Sequence, residues 1–143
     1  MAIIRIEAKL YDNIVRYARE HLPEEACGLI AGEITDGDKL IKKVYFLENV
    51  DHAEDHFTLD PKDQLAAVKD MRAEGLVALG NWHSHPSSPS RPSAEDIKLA
   101  YDKNASYMIL SFLTEAPVIN SFHIENGVYE KEDLRIFNEE YYF

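Results

Sequence analysis

The run from Leu76 to His85 gives way at once to Pro86, Pro89 and Pro92, and this change of character limits what the chain can fold into. Ten largely apolar residues of strand length read as a central, buried strand. The segment 86–92 that follows is rich in proline and serine, so it has few N–H groups for a ladder and reads as a rigid loop leaving the strand end. The strand must lie within a sheet that the rest of the chain supplies.

Strand and helix signals interleave on both sides of it. Residues 1–7 alternate apolar and polar, with Ile4 and Ile6 against Arg5 and Glu7, as an edge strand does. Leu10, Ile14, Val15 and Tyr17 then take helical spacing over residues 8–21, and His21-Leu22-Pro23 ends that helix. Residues 26–32 read as a short buried strand with Glu25 at its entrance, its glycines permitting close backbone approach. Thr35-Asp36-Gly37-Asp38 signals a hairpin, which returns residues 39–48 as the antiparallel partner. Residues 49–55 form a polar loop, and 57–59 a brief strand. Asp60-Pro61 announces a helix that runs to Gly75. A third helix is expected from Ser93 to Lys103, and two further strands over 107–113 and 118–124, ending near Asn126-Gly127. The pattern is α/β (α+β), with one domain spanning residues 1–143 and a mixed sheet.

With 143 residues, 45% of them hydrophobic, the chain can bury a core without disulfides or a structural metal. A metal site here would serve function. The lone Cys27 has no partner within the chain, and no export segment or apolar run of transmembrane length is present, so a cytoplasmic protein is expected. A net charge of -11 argues against nucleic acid as a partner, because such binding rests on Lys and Arg neutralising phosphates. Oligomeric state leaves no mark in the sequence.

The end of the central strand carries chemistry. Side chains two apart in a strand share a face, so His83 and His85 can converge on one ion while Ser84 points away. Asp96 falls on the first turn of the next helix, and the proline loop can fold its carboxylate back to the strand end. Three such ligands leave a fourth tetrahedral position, as catalytic zinc (Zn2+) sites require. Glu25 is the candidate proton shuttle, and Ser93 the candidate donor to an oxyanion. Each piece also has a plainer reading. An His-x-His pair often serves packing, Ser93-x-x-Asp96 is close to a capping box, and Glu25 stands beside Glu24, either of which could open a solvated strand.

Taken together, Glu25-Ala26-Cys27-Gly28-Leu29, His83-Ser84-His85 and Ser93-Ala94-Glu95-Asp96 resemble the JAMM motif of the MPN-domain metallopeptidases: Glu, then His-x-His-x(7)-Ser-x(2)-Asp. Seven residues separate His85 from Ser93 and two separate Ser93 from Asp96. The family's Glu precedes x-x-Gly-Leu, which selects Glu25 over Glu24. Phe57-Thr58-Leu59-Asp60-Pro61 also looks like the compact bacterial members. The resemblance implies a curved mixed sheet flanked by helices, similar to the cytidine deaminases. It implies zinc held by His83, His85 and Asp96, Glu25 as general base and acid, and Ser93 supporting the oxyanion. It further implies hydrolysis of an isopeptide or peptide bond after the C-terminus of a ubiquitin-like or sulfur-carrier protein. The competing readings are a non-catalytic MPN scaffold and a RadC-like domain, the latter disfavoured by the net charge and by Ser84.

Other residues carry less. The segment Asp51, His52, Glu54, Asp55 and His56 offers a weaker second metal site. Cys27 sits in an apolar strand without a base and reads as inert. Trp82 and Tyr45 suit the core better than a substrate groove, and Tyr141-Tyr142-Phe143 forms an apolar tail that packs on the domain or marks a partner surface.

Overall fold

The computed structural model describes residues 2–138, so the tail at residues 141–143 lies outside the described residues. Eight strands form one sheet: β1 (Ile3–Glu7), β2 (Cys27–Thr35), β3 (Asp38–Leu47), β4 (Val77–His85), β5 (Ser106–Ser111), β6 (Val118–Glu125), β7 (Val128–Lys131) and β8 (Asp133–Phe137). Three helices join them: α1 (Ala8–His21), α2 (Pro61–Ala73) and α3 (Ala94–Lys98). The order across the sheet is β7-β6-β5-β4-β2-β3-β1-β8. The pairings of β1 with β3, β1 with β8 and β4 with β5 are parallel, and the rest antiparallel.

The two outermost strands, β7 and β8, are separated in the chain by Glu132 alone. The Cα atoms of Lys131 and Asp133 can stand no more than about 7 Å apart. A flat eight-stranded sheet would separate its edges by roughly 34 Å. The sheet must therefore curl until its edges nearly meet, and β8 does come up against β6. Bulges help it bend. The register with β2 skips Leu79 on β4 and Lys42 on β3, both opposite the Ile30–Gly32 stretch, and each bulge sharpens the local twist.

Curling places α1 against one face, where Ile4, Ile6, Ile14, Ile30, Trp82, Met108 and Leu110 form the main core. The opposite face is covered by α2, whose Ala67 and Met71 pack on Ala31, and by α3, over Tyr107, Ile109, Phe122 and Ile124. All six residues of β5 are buried as a result. Alternation along β4 puts Trp82 and Ser84 on the α1 side, and Asn81 and His83 on the side shared with α3.

One buried charge braces the far end of β4. Lys39 is 7% exposed, and its Nζ donates to Leu79 O at 3.1 Å, Asn104 O at 2.7 Å and Ser106 Oγ at 2.8 Å. The bulge at Leu79 turns its carbonyl out of the ladder, and the ammonium satisfies it. Burial lowers the Lys39 pKa, while Glu132 and Asp102 oppose that fall.

Several expectations hold: α1 and the hairpin occur as read, and Asp60 caps α2 by accepting from Lys62 N at 2.8 Å. Others need correction. The alternation in β1 is real, but β1 is not an edge, because β8 pairs with it in parallel. Residues 57–59 make no strand, and Phe57 lines the cavity beside His83 instead. The third helix stops at Lys98 rather than Lys103, with Leu99 as its C-cap, and a turn in which the Asp102 side chain accepts from Asn104 N then leads the chain into β5. The chain does not end its strands near Gly127, for β7 and β8 follow. Trp82 is core, at 1% exposed, and Tyr45 hydrogen-bonds Asp70 on α2 at 2.5 Å. No helix among the described residues is long and apolar enough to cross a membrane.

Candidate metal centre

β4 changes neighbours from antiparallel β2 to parallel β5. The carboxyl ends of parallel strands are where such sheets open a crevice, and His83 and His85 stand at that end of β4. Both imidazoles are buried, at 2% and 3% exposed. The loop after them is pinned by its own polar groups. Ser90 Oγ donates to Ile109 O, Ser111 Oγ donates to Ser88 O, and Asn120 Nδ2 donates to Ser90 O. This carries the chain back so that α3 begins beside the histidines.

The short helix is held by the capping box that the spacing suggested. Ser93 Oγ accepts from Asp96 N at 3.0 Å, and Asp96 Oδ2 accepts from Ser93 N at 2.9 Å. Cap and site are thus the same residues. The oxygen oriented by Ser93 N–H is the one that faces the histidines, at 3.1 Å from His83 Nε2 and 3.2 Å from His85 Nε2, while the two Nε2 atoms lie 3.1 Å apart.

These three donors make a nearly equilateral triangle. A tetrahedral ion with bonds of about 2.0–2.1 Å holds its donors about 3.3 Å apart, so the triangle fits such an ion with little adjustment. His85 Nδ1 lies 2.8 Å from Pro89 O, where it donates, leaving Nε2 with its lone pair toward the triangle. Phe57 stacks on His83 with ring centroids 4.8 Å apart. Burial by itself would raise the Asp96 carboxyl, but hydrogen bonds from His83, His85 and Ser93 N–H hold it far below the usual carboxylate range. Burial lowers the His85 pKa, and the bonds to Asp96 and Pro89 outweigh it, so the net shift is upward. No other cluster of His, Cys, Asp or Glu among the described residues has donors close enough for one ion. His52 and His56 turn to different carboxylates, those of Glu24 and Asp55, so the second candidate site does not form.

Glu25 and Glu24 part company. Glu24 faces outward to His52, whereas Glu25 is 4% exposed and its Oε1 is buried without a hydrogen-bond partner. Burial pushes the Glu25 carboxyl up to about 8; His85 pulls it down and Asp96 raises it further, which places both among its electrostatic neighbours. Its backbone is gripped by the polar loop: Glu25 N donates to Ala53 O at 2.8 Å, and Asn49 Nδ2 donates to Glu25 O at 3.1 Å. Buried Asn49 also donates to His56 O and accepts from Thr58 N and Asp51 N. It belongs to the expected polar loop, where an Asn two residues before Asp51 is the sequence signal for this Asx turn. Nothing in the sequence marked Phe57 as a neighbour of His83. Beside His83 and Asp96 lies a small cavity of about 50 Å³ walled by Phe57, Leu99, Ile109 and Ile124. Cys27 is buried, its thiol pushed up to about 12 by desolvation and then by Glu25, as expected of an inert cysteine.

Comparison with known proteins agrees with this geometry. The CysO-cysteine peptidase of Mycobacterium tuberculosis is 28% identical over 137 residues, covering 94% of this chain and 91% of the peptidase. The desampylase of Haloferax volcanii is 32% identical over 115 residues, covering 76% of this chain and 80% of its own. A Desulfitobacterium hafniense protein with a solution structure superposes with a TM-score of 0.88 at 43% identity, covering 96% of this chain and 94% of that one. The family described as prokaryotic homologs of the JAB domain matches residues 7–125. A match that runs from the start of α1 to the end of β6, and so takes in the whole triangle and Glu25, establishes that this chain belongs to the JAB/MPN family.

Proposed function

We propose that this chain is a zinc-dependent metallopeptidase that hydrolyses the isopeptide or peptide bond following the C-terminus of a ubiquitin-like or sulfur-carrier protein. The observation that carries the reading is the triangle of His83, His85 and Asp96 with buried Glu25 beside it, whose Oε1 has no hydrogen-bond partner. Relatives named for peptidase and desampylase activities support the reaction class and the kind of substrate. The reading treats residues 1–143 as one catalytic domain and places it in the cytoplasm.

His83, His85 and Asp96 would hold the metal. Bound there, zinc supplies Lewis acidity, polarising a carbonyl and bringing the pKa of water to about 7. Glu25 holds and moves the proton. Burial favours its protonated form and the positive side of the site favours the ionised one, so Oε1 is poised to accept a proton from water and deliver it to the leaving amine. Ser93 Oγ already accepts from Asp96 N, which leaves its single hydrogen free to be donated to the oxyanion of the tetrahedral intermediate. The apolar walls of Phe57, Leu99 and Ile109 limit water on the His83 side.

The test uses a carrier fused through its C-terminus to a reporter. Glu25→Gln should keep one zinc per chain and lose about 10²–10⁴ in turnover, whereas His83→Ala should lose both. Equal cleavage by Glu25→Gln and wild type would remove Glu25 from the reaction, and absence of zinc binding by the wild type would sink the whole proposal.

A further inference from the structure

Between the two histidines sits a residue that the chemistry above leaves unused. Ser84 is 0% exposed, and its side chain lies on the opposite face of β4 from the metal donors. Its Oγ accepts from Ala26 N at 2.8 Å, and its N–H donates to Ala26 O at 2.9 Å. In an antiparallel pair the two residues exchange backbone bonds. Here the hydroxyl takes the place of the carbonyl in the return bond, across 58 positions of sequence.

Ala26 follows Glu25 directly, and β2 begins only at Cys27, so Glu25 lies outside the ladder. Four hydrogen bonds fix its stretch of backbone. Two come from the polar loop, through Ala53 O and Asn49 Nδ2. The other two join Ala26 to the strand that carries both imidazoles: Ser84 N–H donates to Ala26 O, and the Ser84 hydroxyl accepts from Ala26 N. The hydroxyl closes this pair, so that Ala26 is held on both its N–H and its carbonyl and the Glu25 carboxyl keeps its place relative to His83 and His85, while the loop bonds orient Glu25 against a separate segment. An alanine at 84 would leave the Ala26 N–H buried without a partner, since Ala26 is 2% exposed. The entrance of β2 would shift to find one.

We propose that Ser84 is a positioning residue: its hydroxyl, through the Ala26 amide, holds Glu25 at working distance from the His83–His85–Asp96 triangle. The proposal rests on the metallopeptidase reading for its kinetic consequences. Its structural part stands without it.

The experiment compares Ser84→Ala, Ser84→Thr and Asn49→Asp. On metal-free protein, amide hydrogen exchange should quicken about ten-fold or more at Ala26 in Ser84→Ala, with Ile30 and Ile109 keeping their protection. Titration with cobalt or zinc alone should still give one ion per chain. On the carrier fusion, kcat should fall about 10–100-fold, as a displacement near 1 Å implies, with KM little changed, and Ser84→Thr should recover most of it. Added to Glu25→Gln, Ser84→Ala should cost nothing more. An unchanged kcat despite faster Ala26 exchange, loss of metal along with activity, or an equal further loss in the Glu25→Gln background would each overturn the assignment. An unfolded Ser84→Ala beside a folded, fully active Asn49→Asp would also overturn it, by making the hydroxyl a folding requirement. Failure of the wild type to cleave any carrier fusion would refute the function and leave the exchange result to judge Ser84.

Discussion

Lys39→Met tests the claim that one buried ammonium braces the end of the sheet away from the metal centre. Its Nζ donates three bonds, to Leu79 O, Asn104 O and Ser106 Oγ, at 2.7–3.1 Å. Charge-assisted bonds of this kind contribute about 1.5–3 kcal/mol each, so the set is worth about 4–9 kcal/mol. Against it stands the desolvation of the ammonium, several kcal/mol, which also shows in the lowered Lys39 pKa. Methionine keeps the stem and removes the desolvation, but it strands the Leu79 and Asn104 carbonyls at about 1–3 kcal/mol apiece. The net expected loss is about 2–4 kcal/mol, or about 6–12 °C in Tm for a chain of this size. Thermal unfolding followed by circular dichroism reads it directly. Zinc stoichiometry should not change, because Lys39 meets β4 at Leu79 while the proposed ligands stand at His83 and His85. A variant that melts within about 2 °C of wild type, or above it, would show that the bonds merely offset the burial of the charge.

Three further outcomes are expected. Gly28→Ala should be insoluble or melt at least about 10 °C lower, because a Cβ there would lie 1.7 Å from Tyr45 O and 2.5 Å from Trp82 Nε1, whose N–H now donates to Tyr45 O; soluble yield and a melting curve decide it. Cys27 is buried, and desolvation pushes its thiol up to about 12, so little thiolate forms at pH 8. Iodoacetamide should therefore leave the native protein unmodified by intact mass and label it in guanidinium, and rapid native labelling would contradict the burial. In the metal-free protein His85 binds its proton more tightly than a free imidazole. Protons therefore compete with metal as pH falls through that raised value, and zinc affinity should begin to weaken above the ordinary imidazole pKa of about 6.5. Affinity that stays flat down to pH 6 in a calorimetric titration would contradict this.

Features governed by short-range geometry were legible from the residues alone. A two-residue repeat puts His83 and His85 on one face of a strand, and the Ser93-x-x-Asp96 spacing that makes a capping box also aims Asp96. Asp60-Pro61 starts α2 for reasons contained within one turn. Where two neighbours had equal claims, local rules were silent. Glu24 and Glu25 differ only in which side of the strand entrance each faces, and family resemblance rather than physics separated them before burial did.

The sequence by itself determined the candidate donor set, the helix caps and the alternation of β1, because each depends on backbone periods that operate over a few residues. Tertiary structure alone decided what lies beside them. The pairing of β8 with β1 changed an apparent edge strand into an interior one, and the single-residue step at Glu132 forced the sheet to curl. Lys39 found its acceptors 40 or more positions away, and Ser84 reached Ala26 across 58. Such contacts form only after distant strands are brought into register by burial of both sheet faces. No local spacing in the chain encodes them.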